Sequence, residues 1–254
     1  MSRSRREFLG LLGLGTAALL TGCVAAVSPP PPSLPPVPAP HPGPSRELRR
    51  GPVGDGRGIA LTVDDGTCAD CVAGYVDFAR RSGVHLTFSP NGVLDGAWRP
   101  QARALAPLIA AGQVQMINHT WSHRQLTELP DGRIREELER NDAWVVRLFG
   151  ITTRPYCRPP FGAHDARVDA VAGSLGYTRS VQWSGSYEDS AEVTPEILMD
   201  RARTFLQPGV IMLGHANRPT VLGLLDEVLD LVRERRLEPV TLDEMFGTSR
   251  AAGA

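Results

Sequence analysis

Short apolar or β-branched runs alternate with longer amphipathic stretches from Gly58 to the end of the chain. Runs of this length between turn signals predict buried strands; they lie at 58–63, 84–88, 113–117, 154–158, 178–183, 209–213 and 237–241. The stretches between them start at capping residues or stop before glycines, which predicts helices; they lie at 69–82, 100–111, 132–149, 165–175, 195–206 and 219–235. This alternation predicts a single parallel α/β domain, and a closed barrel and an open doubly wound sheet both fit it.

The first 27 residues lack this alternation and read as an export signal. Residues 4–9 (SRREFL) resemble a twin-arginine motif, and the apolar run that follows, 9–20, is too short to span a bilayer. Residues 20–23 (LTGC) resemble a bacterial lipobox, which predicts lipidation at Cys23; a plain signal peptide cut nearby is the alternative. We therefore expect an exported protein at the outer face of the cytoplasmic membrane, in the cell envelope, held to the membrane by a lipid anchor.

A proline-rich segment follows this signal. Residues 28–44 include ten prolines in seventeen positions, a composition that cannot form a core and favours an extended spacer. Residues 46–57 are rich in glycine and arginine. We expect a linker over 28–57, with a disordered tail as the alternative, and a catalytic domain over 58–248.

The charge balance narrows the classes of partner. The 254 residues carry a formal net charge of −1, and the domain has no basic block, so nucleic-acid binding through a positive surface is excluded. No glycine-rich nucleotide-binding motif follows the first strand. We expect a monomer that binds neither nucleic acid nor nucleotide.

Three cysteines remain in the domain. Cys68 and Cys71 form a C-x-x-C pair, and Cys157 stands alone. An exported protein favours a disulfide, either within the pair or from one of its members to Cys157; free buried thiols are the alternative. A structural zinc site is not expected, because no second ligand pair accompanies the first.

Polar residues with reactive side chains follow the predicted strands, at or just beyond the point where each one ends. Carboxyl ends of parallel strands form the face on which α/β folds build active sites. The residues placed there are Asp64, Asp65, His119, His123, Arg158, Asp189 and His215.

Their chemistry points to a metal centre. His119 and His123 are four apart, on one face if the segment is helical, and with one aspartate they make a three-ligand set of the kind that zinc uses in catalysis. Side chains alternate along a strand, so Asp64 and Asp65 are expected to point in different directions, one as ligand and one as base. A surface turn is the alternative for Asp-Asp-Gly.

Two further residues have possible roles beside this centre. Arg158, in a rigid Arg-Pro-Pro segment, can hold a carboxylate, with a surface arginine as the alternative. His215 titrates near neutral pH and suits a general acid, with a structural histidine as the alternative.

Four motifs together resemble the polysaccharide deacetylase (NodB-like) family of carbohydrate esterases, over about 58–246. Residues 62–66 (TVDDG) resemble its T-F-D-D-G motif with valine for phenylalanine, and 119–123 (HTWSH) resemble H-[ST]-x-x-H. Residues 158–162 (RPPFG) are similar to R-P-P-[YF]-G, and 213–215 (LGH) to L-x-H.

The resemblance implies a distorted (β/α)7-type barrel and a divalent metal ion, with Zn²⁺ favoured. Three residues are then the metal ligands: Asp65, His119 and His123. Asp64 is the base that activates water, Arg158 orients it, and His215 protonates the leaving amine. The backbone amide near Phe161 helps to hold the oxyanion.

One motif departs from the family pattern. The family carries a tryptophan followed by two spaced aspartates, one of which polarises the acid histidine. Here Trp183 matches, the first aspartate position is Ser186, and Asp189 is the plausible aspartate. Glu188 is an alternative partner for His215.

The function expected from these features is metal-dependent removal of N-acetyl groups from an N-acetylglucosamine-containing polysaccharide, peptidoglycan or chitin-like, in the cell envelope. An O-acetyl esterase acting on xylan-type polysaccharide uses the same chemistry and is one alternative. A non-catalytic envelope carbohydrate-binding protein, suggested by the altered motif, is the other.

Overall fold

The computed structural model describes residues 39–52 and 56–247. The predictions for the signal region 1–27, for Cys23 and for most of the proline-rich segment fall outside these residues. Among the residues described, no helix combines the length and apolar character that crossing a membrane requires.

The described residues form nine strands and eight α-helices. The strands are β1 (Arg46–Leu48), β2 (Gly58–Asp65), β3 (Leu86–Pro90), β4 (Val114–Met116), β5 (Tyr156–Cys157), β6 (Arg179–Val181), β7 (Gly185–Ser186), β8 (Ile211–His215) and β9 (Glu238–Pro239). The helices are α1 (Ala69–Ser82), α2 (Asp95–Trp98), α3 (Ala102–Ala110), α4 (Asp131–Phe149), α5 (Ala166–Ser174), α6 (Pro195–Phe205), α7 (Leu225–Glu234) and α8 (Leu242–Phe246).

The strands close into a parallel barrel. One sheet has the order β4-β3-β2-β8-β7, with β9 beside the start of β2, and the other has the order β1-β6-β5. All of these pairings are parallel. Two single bridges join the sheets, Asn118 with Cys157 and Arg50 with Val210. The predicted distorted α/β barrel is confirmed, and the alternative of an open doubly wound sheet is wrong.

Strand β1 lies inside the segment predicted as a linker. It pairs with β6, and Leu48 O accepts a bond of 2.8 Å from Gln182 N. Beyond it, Gly51 N donates to Gly209 O at 2.8 Å. The ordered domain therefore begins before Gly58. The sequence did not reveal this strand because three residues with a single buried apolar side chain, Leu48, show no alternation.

One predicted helix is also corrected. Residues 219–235 are not a continuous α-helix: Pro219–Leu224 form a 3₁₀ segment, and α7 begins at Leu225. Proline and glycine both have low helix propensity, and Pro219 and Gly223 fall in the segment that departs. The other predicted helices are present, with ends that differ by at most two residues.

The central strand β2 shows how the barrel is filled. Its residues Ile59, Leu61 and Val63 pack in the large core shared with the helices. Ala60 packs in a separate apolar cluster, and Thr62 donates to Met212 O at 2.7 Å. This period of two brings Asp64 onto the face of Ala60 and Thr62.

The cluster that contains Ala60 lies inside the barrel. It takes apolar side chains from several strands and from the C-terminal helix; they are Leu48, Ala60, Ile117, Tyr156, Val181, Ile211 and Leu242. Helix α8 is joined to the strands by hydrogen bonds from Leu242 N to Thr87 Oγ1 and from Asp243 N to Gln115 Oε1. Helix α8 therefore closes one end of the barrel, and the carboxyl ends of β2, β4, β5 and β8 carry the reactive residues at the other.

Candidate active site

A cavity of about 740 Å³ lies at the carboxyl ends of the strands. All but one of the residues predicted to form the site line it: Asp64, Asp65, His119, His123, Arg158, Phe161 and His215. Asp189 lies behind it, buried against His215.

Asp64 and Arg158 form a buried ion pair at the centre of the site. Arg158 Nη1 donates to Asp64 Oδ1 at 2.7 Å and to Thr62 Oγ1 at 2.9 Å. The Arg158 side chain is 0% exposed, so its charge is neutralised by this carboxylate rather than by water. The second oxygen of Asp64, Oδ2, lies 3.6 Å from His119 Nε2 and borders the cavity.

Asp65 reaches the same cavity by leaving the strand conformation. Its φ is +68°, and in a regular strand its side chain would face the opposite side from Asp64. The left-handed backbone turns it toward the histidines, and Trp98 Nε1 donates to Asp65 O at 2.8 Å. We expected strand alternation to point the two carboxylates in different directions, and this reason is wrong. Asp64 follows the alternation, whereas the left-handed backbone of Asp65 breaks it.

The two histidines lie on a loop and not on a helix. Thr120 and His123 have φ of +68° and +57°, and the His119 and His123 ring centroids are 4.9 Å apart. Glu137 fixes the loop by accepting from Ser122 N at 2.7 Å and from Ser122 Oγ at 2.6 Å. Helical spacing predicted the proximity of the rings but not the structure that produces it.

The loop has a second support from the strand next to it. Asn91 Nδ2 donates to His119 O at 2.5 Å and to Thr120 O at 3.1 Å. These carbonyls have no helical partners, so the amide side chain satisfies them inside the protein. Sequence reasoning missed both Asn91 and Glu137.

Asp65, His119 and His123 form a set of groups that fits a metal ion. One ligand atom from each lies within 4.8 Å of the others, and Asp65 Oδ1 is 3.3 Å from His119 Nε2 and 3.4 Å from His123 Nε2. Asp65 Oδ1 is buried and has no hydrogen-bond partner. Such an orphaned acceptor calls for a cation.

The protonation of His119 supports the same fit. Its Nδ1 lies 2.7 Å from Arg158 O, and a carbonyl only accepts, so Nδ1 carries the proton. In the neutral ring the Nε2 lone pair then faces two carboxylates. Burial lowers the pKa of His119, but the carboxylates of Asp64 and Asp65 outweigh it and leave this pKa raised. The cluster of His119 with these two carboxylates therefore attracts a positive charge, which a divalent ion can supply.

The charges at Asp65 and His123 fit the same picture. Burial acts to raise the pKa of Asp65, but His119, His123 and Asn217 overcome it and hold this pKa far below its usual range. Burial and the neighbouring His119 lower the pKa of His123. An ionised carboxylate and neutral imidazoles are the forms that bind metals.

His215 is held by Asp189 and lies opposite Asp64 in the pairing of β8 with β2. Its Nδ1 lies 2.8 Å from Asp189 Oδ1, and its backbone N–H donates to Asp189 Oδ2 at 3.0 Å. Burial lowers the pKa of His215, but the hydrogen bond and charge of Asp189, together with Asp64, raise it on balance. Asp189 fixes the tautomer, so Nε2 is the ring nitrogen left for a substrate.

The residues of the altered motif have other partners. Glu188 forms an ion pair of 3.0 Å with Arg201, so the alternative that it serves as the partner of His215 is wrong. Ser186 Oγ accepts from Glu188 N at 3.0 Å and helps the chain to turn there. Asp189 alone takes the polarising position.

Phe161 lies at the rim of the cavity. Its φ is +61°, its side chain is 66% exposed, and its ring centroid is 4.7 Å from that of His123.

The remaining predicted features are structural. Cys68 and Cys71 form a disulfide, and Cys157 is a free, buried thiol whose pKa burial raises to about 12. His85 pairs with Glu244, and His164 contacts carboxylates on both sides.

Comparison with known proteins identifies relatives of this domain. The family model "Polysaccharide deacetylase" matches residues 52–180. The peptidoglycan-N-acetylglucosamine deacetylase PgdA of Listeria monocytogenes is 28% identical over 195 residues, covering 77% of this chain and 40% of that protein. A chitin deacetylase of Pestalotiopsis sp is 26% identical over 197 residues, covering 76% of this chain and 65% of that protein. The chain thus matches less than half of the length of the Listeria relative.

Solved structures share the fold. The crystal structure of the Bc1960 peptidoglycan N-acetylglucosamine deacetylase superposes with a TM-score of 0.72 at 22% identity, covering 80% of this chain and 94% of that one. At this level of identity the similarity establishes the common barrel.

Proposed function

The chain belongs to the polysaccharide deacetylase family, and from that premise we propose that it is a metal-dependent hydrolase that removes N-acetyl groups from an N-acetylglucosamine-containing polysaccharide. The observation that carries the proposal is the set of groups that share the cavity. A three-ligand cluster, whose buried carboxylate oxygen has no hydrogen-bond partner, lies in the same cavity as two paired groups, Asp64 with Arg158 and His215 with Asp189.

Asp65, His119 and His123 would hold the ion. A divalent ion bound there, with Zn²⁺ as the favoured identity, would lower the pKa of water and would polarise an amide carbonyl. The ligand set of one carboxylate and two imidazoles is common in catalytic zinc sites.

The protein's own groups then move the protons. Asp64 accepts a proton from water through Oδ2, while Arg158 donates a hydrogen bond to Oδ1 and holds the carboxylate in place. His215 donates a proton from Nε2 to the amine as it leaves, and Asp189 holds the opposite nitrogen. Water and the N-acetyl group are thus converted to acetate and a free amine on the sugar.

Peptidoglycan is the substrate that we favour. The Listeria relative is named for that polymer, and residues 4–23 resemble an export signal that ends in a lipobox. We propose that residues 1–27 direct export, that Cys23 carries a lipid, and that residues 28–57 include the spacer that keeps the domain near the wall.

Acetate release tests this function. The purified domain with Zn²⁺ is incubated with N-acetylglucosamine oligomers, with peptidoglycan and with acetyl-xylan, and acetate is measured. We expect release from the first two. Release from acetyl-xylan alone would favour an O-acetyl esterase, and no release from any substrate at full metal occupancy would contradict the proposal.

Asp64→Asn is the matched control for chemistry. It keeps the shape of the side chain and removes the base, so turnover should fall about 10²- to 10⁴-fold. Binding of Zn²⁺ and of the polysaccharide should persist. Equal turnover in the wild type and the variant would show that the acetate comes from elsewhere.

A further inference from the structure

We propose that Asn217 is the positioning residue of the metal centre: its side chain makes Asp65 present a single oxygen to the two histidines. Asn217 follows strand β8, two residues after His215. This inference rests on the proposed metal site and is independent of the substrate.

The two ends of the Asn217 amide have different partners. Nδ2 donates to Asp65 Oδ2 at 2.6 Å. Oδ1 accepts from Thr67 Oγ1 at 2.9 Å, from Thr67 N at 3.1 Å and from Gly66 N at 3.4 Å. Backbone N–H groups can only donate, so the amide oxygen must face them and the NH₂ group must face the carboxylate. The orientation of the amide is therefore settled by its partners.

This contact gives the two oxygens of the Asp65 carboxylate different surroundings. Oδ2 is occupied by Asn217, whereas Oδ1 stays buried, without a hydrogen-bond partner, between His119 Nε2 and His123 Nε2. Without Asn217, no hydrogen bond to Oδ2 would fix the rotation of the Asp65 carboxylate about its Cβ–Cγ bond. A ligand held by a neighbouring hydrogen bond binds metal better because its orientation needs no further ordering.

The backbone around Asp65 cannot take over this task. Asp65 and Gly66 both have positive φ, +68° and +114°, and a Cβ atom at Gly66 would come within 2.2 Å of Trp98 Nε1. The main chain is thus fixed close to the Trp98 ring. What remains adjustable is the direction of the Asp65 carboxylate, and Asn217 is the side chain that sets it.

Asn217 also connects the end of strand β8, which carries His215, to the segment after β2, which carries Asp65. Two backbone bonds already connect these segments, Ala216 N to Asp64 O at 3.0 Å and Cys68 N to Ala216 O at 3.1 Å. Asn217 adds a side-chain connection at the ligand itself. The end of β8 therefore carries His215 for one half of the site and Asn217 for the other.

The test is the affinity for Zn²⁺, measured by competition with a chromophoric chelator on Asn217→Ala and on Asn217→Leu, which preserves most of the side-chain volume. Loss of a contact to a metal ligand typically weakens affinity about 10- to 100-fold, and we expect that loss in both variants. The melting temperature of the metal-free protein should stay near that of the wild type. The Co²⁺-substituted proteins should show altered absorption bands, because the coordination at Asp65 changes.

Two variants separate this role from a structural one. Thr67→Val removes the hydroxyl contact at the other end of Asn217 but keeps the two backbone N–H contacts, so it should weaken Zn²⁺ binding less than either Asn217 variant does. Arg218→Ala, next in sequence and exposed, should be unchanged. The proposal is overturned if Asn217→Ala and Asn217→Leu keep wild-type affinity, if Thr67→Val weakens it equally, or if both Asn217 variants fail to fold without metal. Because the readout is metal binding, a failed deacetylation assay would not affect the result.

Discussion

The two halves of the candidate site are built in different ways. The metal half has three proposed ligands, Asp65 at the end of β2 and two histidines on the loop after β4, with left-handed backbone at Asp65 and His123. The acid half is one histidine at the end of a regular strand, held by one carboxylate through two bonds. The metal half therefore depends on the placement of several side chains, and the acid half on the charge of a single pair.

This difference predicts different failures. Residues with left-handed backbone keep that conformation only if the surrounding structure fixes them. Here the side chains of Asn91, Glu137 and Asn217 do so. Losing one of them should weaken metal binding without removing it. Losing Asp189 should leave metal binding intact and change the proton affinity of His215.

The largest expected effect is the loss of the folded state when strand β1, which lies beside the acid half, is removed. A chain that starts at Gly58 lacks β1, which lies between β6 and the start of β8. At least five backbone hydrogen bonds, made by Gly43, Arg46, Leu48, Gly51 and Arg57, and the burial of Leu48 are lost. The usual values put this at about 7 kcal/mol, which is comparable with the whole stability of many domains. A chain that starts at Ala39 should unfold cooperatively on heating, whereas the Gly58 chain should not.

Circular dichroism during thermal unfolding measures this directly. If the Gly58 chain unfolds at the same temperature as the Ala39 chain, the strand β1 contributes nothing and the barrel is closed by other contacts. The β2–β3–β4 pairing that supports the metal half is untouched by this truncation.

The second prediction concerns the acid half alone. Asp189 raises the pKa of His215 against the effect of burial, so Asp189→Asn should lower this pKa. A general acid works only when protonated, and activity therefore falls as pH rises through its pKa. In the variant this alkaline limb should move to lower pH, and turnover at neutral pH should drop about 10²-fold or more.

Glu188→Gln is the matched control for that experiment. Glu188 is next in sequence and pairs with Arg201, so its substitution should leave the alkaline limb in place. A limb that moves with Glu188→Gln and not with Asp189→Asn would reverse the assignment. Zn²⁺ affinity should remain near the wild-type value in both.

The sequence predicted the reactive residues because each one follows a strand whose apolar run is visible locally. It could not predict what holds them. Asn217 and Asp65 are 152 residues apart, and Asn91 and His119 are 28 apart, with no spacing rule that relates them. The signal that could have pointed to Asn217 is its place just past a strand end, two residues after His215.

The errors have the same origin. Strand alternation was used to give the two aspartates different roles, and helical spacing was used to bring the two histidines together. The structure uses neither reason, since Asp65 and His123 have left-handed backbone. The sequence pattern gives the face of an element, and only the tertiary contacts fix a conformation that departs from it. Strand β1 was missed because its pairing partners, and not its own composition, make it a strand.

The third prediction returns to the metal half. Glu137→Gln keeps the size of the side chain but replaces one accepting oxygen with a donating NH₂ group, so the two bonds from Ser122 cannot both form. The histidine loop should become less ordered, and Zn²⁺ affinity should fall about 10-fold. Glu139→Gln, exposed on the same helix, should bind as the wild type does.

Turnover at saturating Zn²⁺ sharpens the comparison. With the ion bound, Glu137→Gln should recover most of its activity, whereas Asp189→Asn should not. If excess Zn²⁺ rescues both variants equally, the two halves do not differ in the way proposed.

The smallest expected effect comes from the disulfide, which lies three residues beyond Asp65. The loop that it closes is short, and chain-entropy arguments give it about 2 kcal/mol. Cys68→Ser combined with Cys71→Ala removes the bond and keeps an acceptor at the start of α1, where Cys68 Sγ now accepts from Cys71 N. The melting temperature should fall by several degrees, while Zn²⁺ affinity stays within a few-fold, because Ala216 and Asn217 hold the segment before the disulfide. A loss of Zn²⁺ affinity as large as that of the Asn217 variants would mean that the metal half depends on the disulfide for the order that we assign to side-chain hydrogen bonds.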